Sequence, residues 1–436
     1  MSGLTINLEQ LSNLSKINLL TTSTNKLNGH IDISKFTGLT EFTCASSGIT
    51  NFIANDNIQS FRLTSNDLSA FPNVDSLTEL LSCSINENNT TDFLPSLSAN
   101  TKLKTFEIVS NNFNGTLPSF SANNAIETID VSLNSLDGTI SPLSSKPNLK
   151  KFAVKNNSFT GNIPALSGAP NLEFADFRNN SFTGDIPALT ANANLAQFYT
   201  NGNNNLSGFI PSLSACPLLR NFNISINGLS GSIHDFNLTP ELQTYHVFRN
   251  NLTGRLPTLS AAPNAITFDF NENYLTGPIP SLSGLTKLKL LNLNNNALSG
   301  RFPEISDLNK LEFLRFNANT RLGNSGIIGD IPDVANSPNL QTLDIASNSL
   351  TGWNGTTWPS LSFFNLQCQN NNLTTETVDN LLSALDATDL TSPMYLDNGT
   401  VRTRRANVGG SNASPTGGAS NVSKVSLEAK GWLVTI

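Results

Sequence analysis

Charged residues are scarce in this sequence. They make up 13% of the 436 residues, which is about half of their usual share. The 25 Lys and Arg against 32 Asp and Glu leave a formal net charge of −7. A chain of this charge has no basic surface of the kind that binds nucleic acid, so we expect no nucleic-acid partner.

Residues that build metal centres and catalytic sites are also rare. The four cysteines stand far apart and form no CxxC pair, at Cys44, Cys83, Cys216 and Cys368. We predict buried free thiols rather than a zinc site or a disulfide scaffold. The three histidines lie in separate segments, at His30, His234 and His246. Because no phosphate-binding glycine loop, HExxH or GxSxG motif occurs either, we expect no metal, no cofactor and no enzyme.

Long apolar segments are missing as well. No run of 18 apolar residues exists, so we expect no insertion into a membrane. The first twenty residues contain neither a basic leader nor an apolar stretch of seven or more. We therefore expect no secretory signal peptide.

Asparagine, in contrast, is abundant, with 63 copies. Many of them recur in an N-x-(L/F)-x-G segment with a spacing of 23, or once 24, residues: Asn111, Asn134, Asn157, Asn180, Asn204, Asn227, Asn250, Asn273, Asn296 and Asn319. Weaker copies extend through Asn88, Asn66, Ser47 and Asn25 upstream and through Asn348 and Asn371 downstream, which gives 16 repeats. A fixed period of this length is typical of solenoids.

Each unit has the pattern LxxLxLxxNxLxGxIP and resembles the leucine-rich repeat family, in the GxIP subtype known from plant receptors and also found in bacterial and phage proteins. The resemblance covers about Ile17 to Leu373. It implies an α/β repeat fold: a leucine-rich repeat solenoid with a parallel β-sheet on its concave face and a mostly irregular, proline-rich convex side.

Elementary physical chemistry agrees with this pattern. The LxL segment alternates as a short strand does, so Phe106 and Ile108 point into the core and Glu107 points out. An inward Asn side chain can donate to and accept from the backbone of neighbouring turns, where no water reaches. We call these the ladder asparagines.

The sequence divides into a solenoid over residues 1–376 and a C-terminal cap over residues 377–436. Within the cap, ETVDNLLSALDA and VSKVSLEAKG are predicted helices, Met394 to Leu396 is predicted at the next strand position, and WLVTI is a final strand. The tail also resembles the GGxNAxPxG…LxxxGWxV ending of bacterial and phage leucine-rich repeat proteins, at Gly409, Gly410, Asn412, Ala413, Pro415, Gly417, Leu427, Gly431, Trp432 and Val434. The paired-cysteine N-terminal cap of plant receptors is missing, which argues against a plant receptor ectodomain.

Outward strand positions are where such a protein would hold a partner. Exposed aromatic and arginine side chains are typical interface anchors, and sugars stack on such rings. The candidate binding residues are Phe174, Asp176, Arg178, Tyr199, Asn223, His246, Phe248, Arg249, Asp269, Phe313 and Arg315. A second candidate lies beside an insertion of six residues between Asn319 and Asn348, in the loop with Trp353 and Trp358.

An enzymatic alternative rests on outward carboxylates. Asp130, Asp176, Asp269 and Asp344 occupy the same strand position in different repeats. Glycoside cleavage needs two carboxylates about 5 to 9.5 Å apart, and a separation of two or more repeats is mostly too long for that. A polysaccharide depolymerase is therefore the third hypothesis.

The favoured hypothesis is a non-enzymatic recognition or structural protein. The tail resemblance implies a bacteriophage virion component, such as a tail-fibre, tail-associated or surface-decorating protein. Its partners would be a host surface glycan or protein, other virion proteins, or both. A bacterial adhesion protein at the cell surface or outside the cell is the second hypothesis.

Overall fold

The chain folds as a parallel β-solenoid of about 15 turns with two C-terminal helices. The computed structural model describes residues 14–20, 28–320, 323, 325–358, 365–388, 394–395 and 401–436. It divides into two compact units, Met1–Leu219 and Arg220–Ile436.

The first unit consists of short strands joined by turns. Its strands are, in chain order, β1 (Lys16–Leu20), β2 (Gly29–Asp32), β3 (Glu41–Ala45), β4 (Ile49–Ile53), β5 (Ser60–Thr64), β6 (Ser82–Asn86), β7 (Thr105–Glu107), β8 (Asn114–Thr116), β9 (Thr128–Asp130), β10 (Ser135–Asp137), β11 (Lys151–Ala153), β12 (Phe174–Asp176), β13 (Thr183–Asp185), β14 (Gln197–Tyr199) and β15 (Asn205–Ser207). The long sheet runs β1-β3-β5-β6-β7-β9-β11-β12-β14, and every pair is parallel.

The second unit repeats this plan and adds helices. Its elements are β16 (Asn221–Asn223), β17 (Ser230–Gly231), β18 (Thr244–His246), β19 (Asn251–Leu252), a 3-10 turn (Leu259–Ala261), β20 (Thr267–Asp269), β21 (Thr276–Pro278), β22 (Leu290–Asn292), β23 (Ala297–Arg301), β24 (Phe313–Arg315), β25 (Ile327–Ile331), β26 (Thr342–Asp344), β27 (Ser349–Trp353), β28 (Asn365–Gln367), α1 (Thr375–Asp386), β29 (Met394–Tyr395), β30 (Val401–Arg402), β31 (Arg404–Asn407), a 3-10 turn (Gly418–Ser420), α2 (Val422–Ala429) and β32 (Trp432–Thr435). The long sheet runs β16-β18-β20-β22-β24-β26-β28-β31-β32.

Each turn of the solenoid buries the apolar positions of its repeat. Phe106, Ile108, Leu291 and Leu293 are fully buried, as the alternation predicts. All four cysteines are buried free thiols. Each turn therefore adds the same few side chains to the core of its unit.

The ladder asparagines satisfy the backbone between turns. The Asn180 amide nitrogen donates to the carbonyl of Val154 at 3.0 Å, and its Oδ1 accepts from the backbone nitrogen of Phe159 at 3.1 Å. Equivalent bonds are made by Asn111, Asn134, Asn157, Asn250, Asn273, Asn296, Asn319, Asn348 and Asn371. Asn227 lies at the same position and donates to Ile224 and Ser225 of its own turn. The predicted upstream position at Asn25 lies outside the described residues.

One predicted ladder position is corrected. Asn204 is exposed, and Asn203 is buried in its place, donating to Phe177 at 3.0 Å and accepting from the Phe182 nitrogen at 3.1 Å. The residue before a ladder asparagine has a positive φ, and Gly202, with φ +75°, occupies that position here. The extra residue of this repeat therefore follows the ladder asparagine instead of preceding it.

The side opposite the long sheet is more regular than the sequence suggested. Short parallel strands form there from the xLxGx segments, pairing β2–β4, β8–β10 and β13–β15 in the first unit and β17–β19 and β21-β23-β25-β27 in the second. Backbone groups of successive turns bond to each other on this side. For example, the Thr160 nitrogen donates to the Gly138 carbonyl at 2.8 Å. The positive φ of Gly138, +70°, turns the chain after β10.

The C-terminal region contains the two helices, and its sheet strand differs from the prediction. Val378, Leu381, Leu382 and Leu385 of α1 are buried, and the Thr374 hydroxyl caps its N-terminus by accepting from the Thr377 nitrogen. Met394–Tyr395 pairs antiparallel with Val401–Arg402, and β31 is the strand that extends the long sheet. The chain from β28 to β31, which includes α1, is longer than one repeat, so the fixed spacing fails there. No helix in the described part of the chain is long and apolar enough to cross a membrane.

Candidate functional site: the strand face

The solvent-facing side of the long sheet is lined by residues two, four and six places before each ladder asparagine. We call this side the strand face and treat it separately in each unit. Side chains there alternate with core residues along each strand. Equivalent side chains on adjacent strands are about 4.8 Å apart, because that is the spacing between the strands.

In the first unit, the structure brings four candidate residues together. Strands β12 and β14 are adjacent, with Asp176 opposite Tyr199. The rings of Phe174 and Tyr199 have their centroids 5.9 Å apart at 55°, and the Arg178 guanidinium carbon lies 4.8 Å from the Tyr199 centroid. These side chains form one basic–aromatic cluster.

Asp176 holds this cluster in place and is not an accessible contact. Its carboxylate oxygen Oδ2 accepts from Arg178 Nε at 3.0 Å and from Nη2 at 2.8 Å. The Asp176 side chain is 1% exposed, whereas Arg178 is 32% exposed. The outward position predicted a solvent-facing carboxylate, but Arg178 and Tyr199 cover it. Burial raises the pKa of Asp176, and the charges of Arg178 and Lys155 oppose that shift.

Tyr199 is also fixed by its surroundings. Its hydroxyl donates to Gln197 Oε1 at 2.9 Å. Burial raises the pKa of this phenol, while the Arg178 charge acts against the rise. Because Gln197 bonds the hydroxyl and Arg178 lies over the ring, Tyr199 would lose little side-chain entropy when a ligand contacts it. Such fixed aromatic side chains are typical interface anchors.

An acidic network beside this cluster escaped the sequence reasoning. Glu107 and Asp130 are opposite each other on β7 and β9. Lys151 Nζ lies 2.8 Å from Asp130 Oδ2 and 3.9 Å from Glu107 Oε1. The repeat pattern shows Glu107 only as an outward residue, and the register of β7 with β9 places it next to Asp130. Lys151 bridges the two carboxylates, so the three side chains form an ion-pair network.

In the second unit, His246 of β18, Phe248 just after that strand and Asp269 of β20 form a group. His246 Nε2 is 2.9 Å from the Thr267 hydroxyl, and its ring centroid is 6.5 Å from that of Phe248. Burial lowers the pKa of His246, opposed by the Asp269 charge, and burial raises the pKa of Asp269. Burial thus acts against the charged form of each of the two groups.

Of the other candidate residues of the second unit, Phe313 and Arg315 lie apart from that group on β24, whereas Asn223 is opposite His246 on the adjacent strand β16. The Arg315 guanidinium carbon lies 5.2 Å from the Phe313 centroid, and Arg315 is opposite Asp344 on β26. Asn223 Oδ1 accepts from the hydroxyl of Ser225 at 2.7 Å. Arg249 directly precedes the ladder residue Asn250, has a φ of +53° and pairs with Glu272 at 3.1 Å.

The tryptophans of the irregular repeat form a stacked pair. The rings of Trp353 and Trp358 are 5.3 Å apart at 14°. Trp358 is 5% exposed, and its indole nitrogen donates to the Leu381 carbonyl of α1 at 3.4 Å. Trp358 thus anchors the loop to the C-terminal helix.

The His, Cys, Asp and Glu side chains of the described part of the chain do not gather into a metal-binding group. No group of three or more His, Cys, Asp or Glu side chains there could hold a metal ion. In the first unit, β11 separates Asp130 on β9 from Asp176 on β12, and in the second unit, β22 and β24 separate Asp269 on β20 from Asp344 on β26. They therefore offer no carboxylate pair of the kind that glycoside cleavage uses.

Comparison with known proteins relates this architecture to solved structures. No family model and no curated protein matches the chain. The plant peptide hormone receptor RGFR1 in complex with RGF2 superposes with a TM-score of 0.72 at 25% identity, over 86% of this chain and 66% of that one. The Arabidopsis receptor kinase HAESA, in complex with the peptide hormone IDA and the co-receptor SERK1, gives 0.70 at 20% identity, over 92% and 72%. The functional domain of InlJ from Listeria monocytogenes gives 0.60 at 18%, over 90% and 79%.

These similarities concern the fold. This chain spans just under two thirds of the RGFR1 chain. The repeat pattern, the asparagine ladder and the superpositions together describe a leucine-rich repeat solenoid that resembles plant receptor ectodomains and the Listeria protein.

Proposed function

We propose that this chain is a non-enzymatic recognition protein that holds its ligand on the strand face. The observation that supports this most strongly is the basic–aromatic cluster of the first unit, in which Asp176 fixes Arg178 against Tyr199. Rigid aromatic and arginine side chains are the commonest hot spots of protein interfaces. Two of the similar structures, RGFR1 and HAESA, are complexes with peptide hormones, which favours the same mode of use here.

We further propose that the chain is a virion component that contacts a host surface protein or glycan or other virion proteins. This proposal rests on the resemblance of the tail, including Asn412, Gly431 and Trp432, to bacterial and phage repeat proteins. Detection of the chain by mass spectrometry in purified phage particles would support it. Detection only among bacterial surface proteins would favour the adhesion hypothesis.

The binding proposal is tested by separating the strand face from the rest of the surface. A triple variant, Tyr199→Ser, His246→Ser and Phe248→Ser, should bind host cells about tenfold more weakly or worse, because each lost aromatic anchor is worth roughly 1 to 2 kcal/mol. A matched control replaces three exposed residues off the strand face, Phe209, Leu238 and Tyr274, by Ser. Thermal melts check that both variants fold. Equal binding by the two folded variants would exclude the strand face.

A further inference from the structure

We infer that the basic–aromatic cluster of the first unit binds an acidic polypeptide segment, which places carboxylates at Lys155 and Arg178 and an apolar side chain against Phe174 and Tyr199. This inference rests on the proposed function and specifies the chemistry of its ligand.

The charge at this cluster is opposite to that of the chain. The protein has a formal charge of −7, whereas here two cations, Lys155 and Arg178, both act on the pKa of one buried carboxylate, that of Asp176. Lys155 has no ion-pair partner among the described residues. Its charge opposes the rise that burial causes in the pKa of Asp176. Lys151, the other nearby cation, is already paired with Asp130 and Glu107. Lys155, Arg178 and Asp176 therefore sum to one formal positive charge, next to the Lys151 network on the neighbouring strands.

Arg178 is prepared to receive a carboxylate. Its Nε and one Nη2 hydrogen are engaged by the same oxygen of Asp176, and a guanidinium has five donors in total. The remaining donors belong to the partly exposed end of the side chain, which is 32% exposed. Because Asp176 and Tyr199 already fix its rotamer, binding an anion would require little further ordering.

The aromatic geometry bears on the choice between a polypeptide and a sugar polymer. The Arg178 guanidinium lies over the Tyr199 ring, so one face of that ring is not free to stack on a sugar. The rings of Phe174 and Tyr199 are tilted by 55°, so they offer no single flat platform. The Tyr199 hydroxyl donates to Gln197 Oε1. The amide nitrogen of Gln197 can then donate to a peptide carbonyl of the ligand.

The test compares matched synthetic peptides. Fluorescein-labelled, end-capped Gly-Glu-Phe-Glu-Leu-Glu-Gly is titrated against its counterpart with Gln in place of each Glu, and alginate fragments serve as a polyuronate. We expect the Glu peptide to bind more tightly than the Gln peptide, and the difference to shrink at about 0.5 M salt, where charges beyond a few ångströms are screened. Lys155→Gln should weaken binding of the Glu peptide about threefold or more.

The control variant is Lys310→Gln, which makes the same charge change at an exposed lysine outside the cluster. It should bind the Glu peptide as the wild type does. Equal affinity for both peptides, binding of alginate alone, or equal effects of the two lysine substitutions would each overturn the inference. If the strand-face triple variant still loses host binding in that case, the proposed function stands and only the ligand class is wrong. If the triple variant binds host cells normally, the proposed function itself fails.

Discussion

Asn412 continues the ladder that Asn371 would otherwise end, although 41 residues separate them. The Oδ1 atom of Asn412 accepts from the backbone nitrogen of Asn371 at 3.0 Å. Its amide nitrogen donates to the carbonyls of Cys368 and Val408 at 2.9 and 2.7 Å. The asparagine of the GGxNA tail motif thus has the same structural role as the asparagines of the repeats.

We predict that Asn412→Ala lowers the free energy of unfolding by about 1 to 3 kcal/mol, since it leaves buried backbone groups of two turns without partners. Asn336→Ala is the matched control, because Asn336 is exposed. Urea unfolding of both variants measures the difference. Equal stabilities would mean that the tail is not structurally continuous with the repeats.

The corrected register gives a second prediction from neighbouring residues. Asn203→Ala should be destabilised by about 1 to 3 kcal/mol, because Asn203 bonds the backbone of Phe177, Thr200 and Phe182. Asn204→Ala should be nearly neutral, since Asn204 is exposed. Thermal melts measure the stability of the two variants. If Asn204→Ala were the less stable one, Asn204 would be the ladder residue, as the spacing predicts.

A third prediction concerns the pH dependence of stability. Burial raises the pKa of Asp344 above its ordinary value of 3.8, against the effects of bonds from Ala346 and Asn317 and of the Arg315 charge. The folded state then keeps a proton that the unfolded state has lost, so the free energy of unfolding falls as pH rises from the ordinary value through the raised one. Asp344→Asn should remove this loss and be more stable than the wild type at neutral pH.

The measurement is urea unfolding across the range from about pH 3.5 to about pH 7.5. Asp75→Asn, at an exposed position, serves as the control and should follow the wild type. An Asp344→Asn protein with the wild-type pH slope, or one that is less stable throughout, would show that burial of this carboxyl does not govern the effect.

The sequence was sufficient for most of the fold because one short pattern fixes each turn. Strand alternation and the inward asparagine are local consequences of the repeat, so their positions follow from spacing. Spacing failed where the length of a turn changed. At Asn204 the inserted residue could lie on either side of the ladder position, and only the positive φ at Gly202 decides between them. Between β28 and β31 the chain forms α1 and exceeds one repeat, so spacing predicts Met394 at a sheet position that β31 occupies.

The candidate site was less predictable because exposure depends on contacts across strands. Alternation places Asp176 on the outside of β12, but it cannot show that Arg178 and Tyr199 cover the carboxylate. The pairing of Glu107 with Asp130 through Lys151 likewise depends on three different strands. The repeat therefore locates the strand face, and side-chain packing determines which of its residues are accessible.

The central claim is that the strand face holds the ligand, and site-specific photo-crosslinking tests it most directly. A benzophenone amino acid is placed at Phe248, on the strand face, or at Phe209, which is 69% exposed and lies on the opposite side of its turn. Both proteins are bound to host cells and irradiated. We predict that a single crosslinked partner forms at position 248 and is absent at position 209. Crosslinking to the same partner from position 209 but not from position 248 would contradict the account.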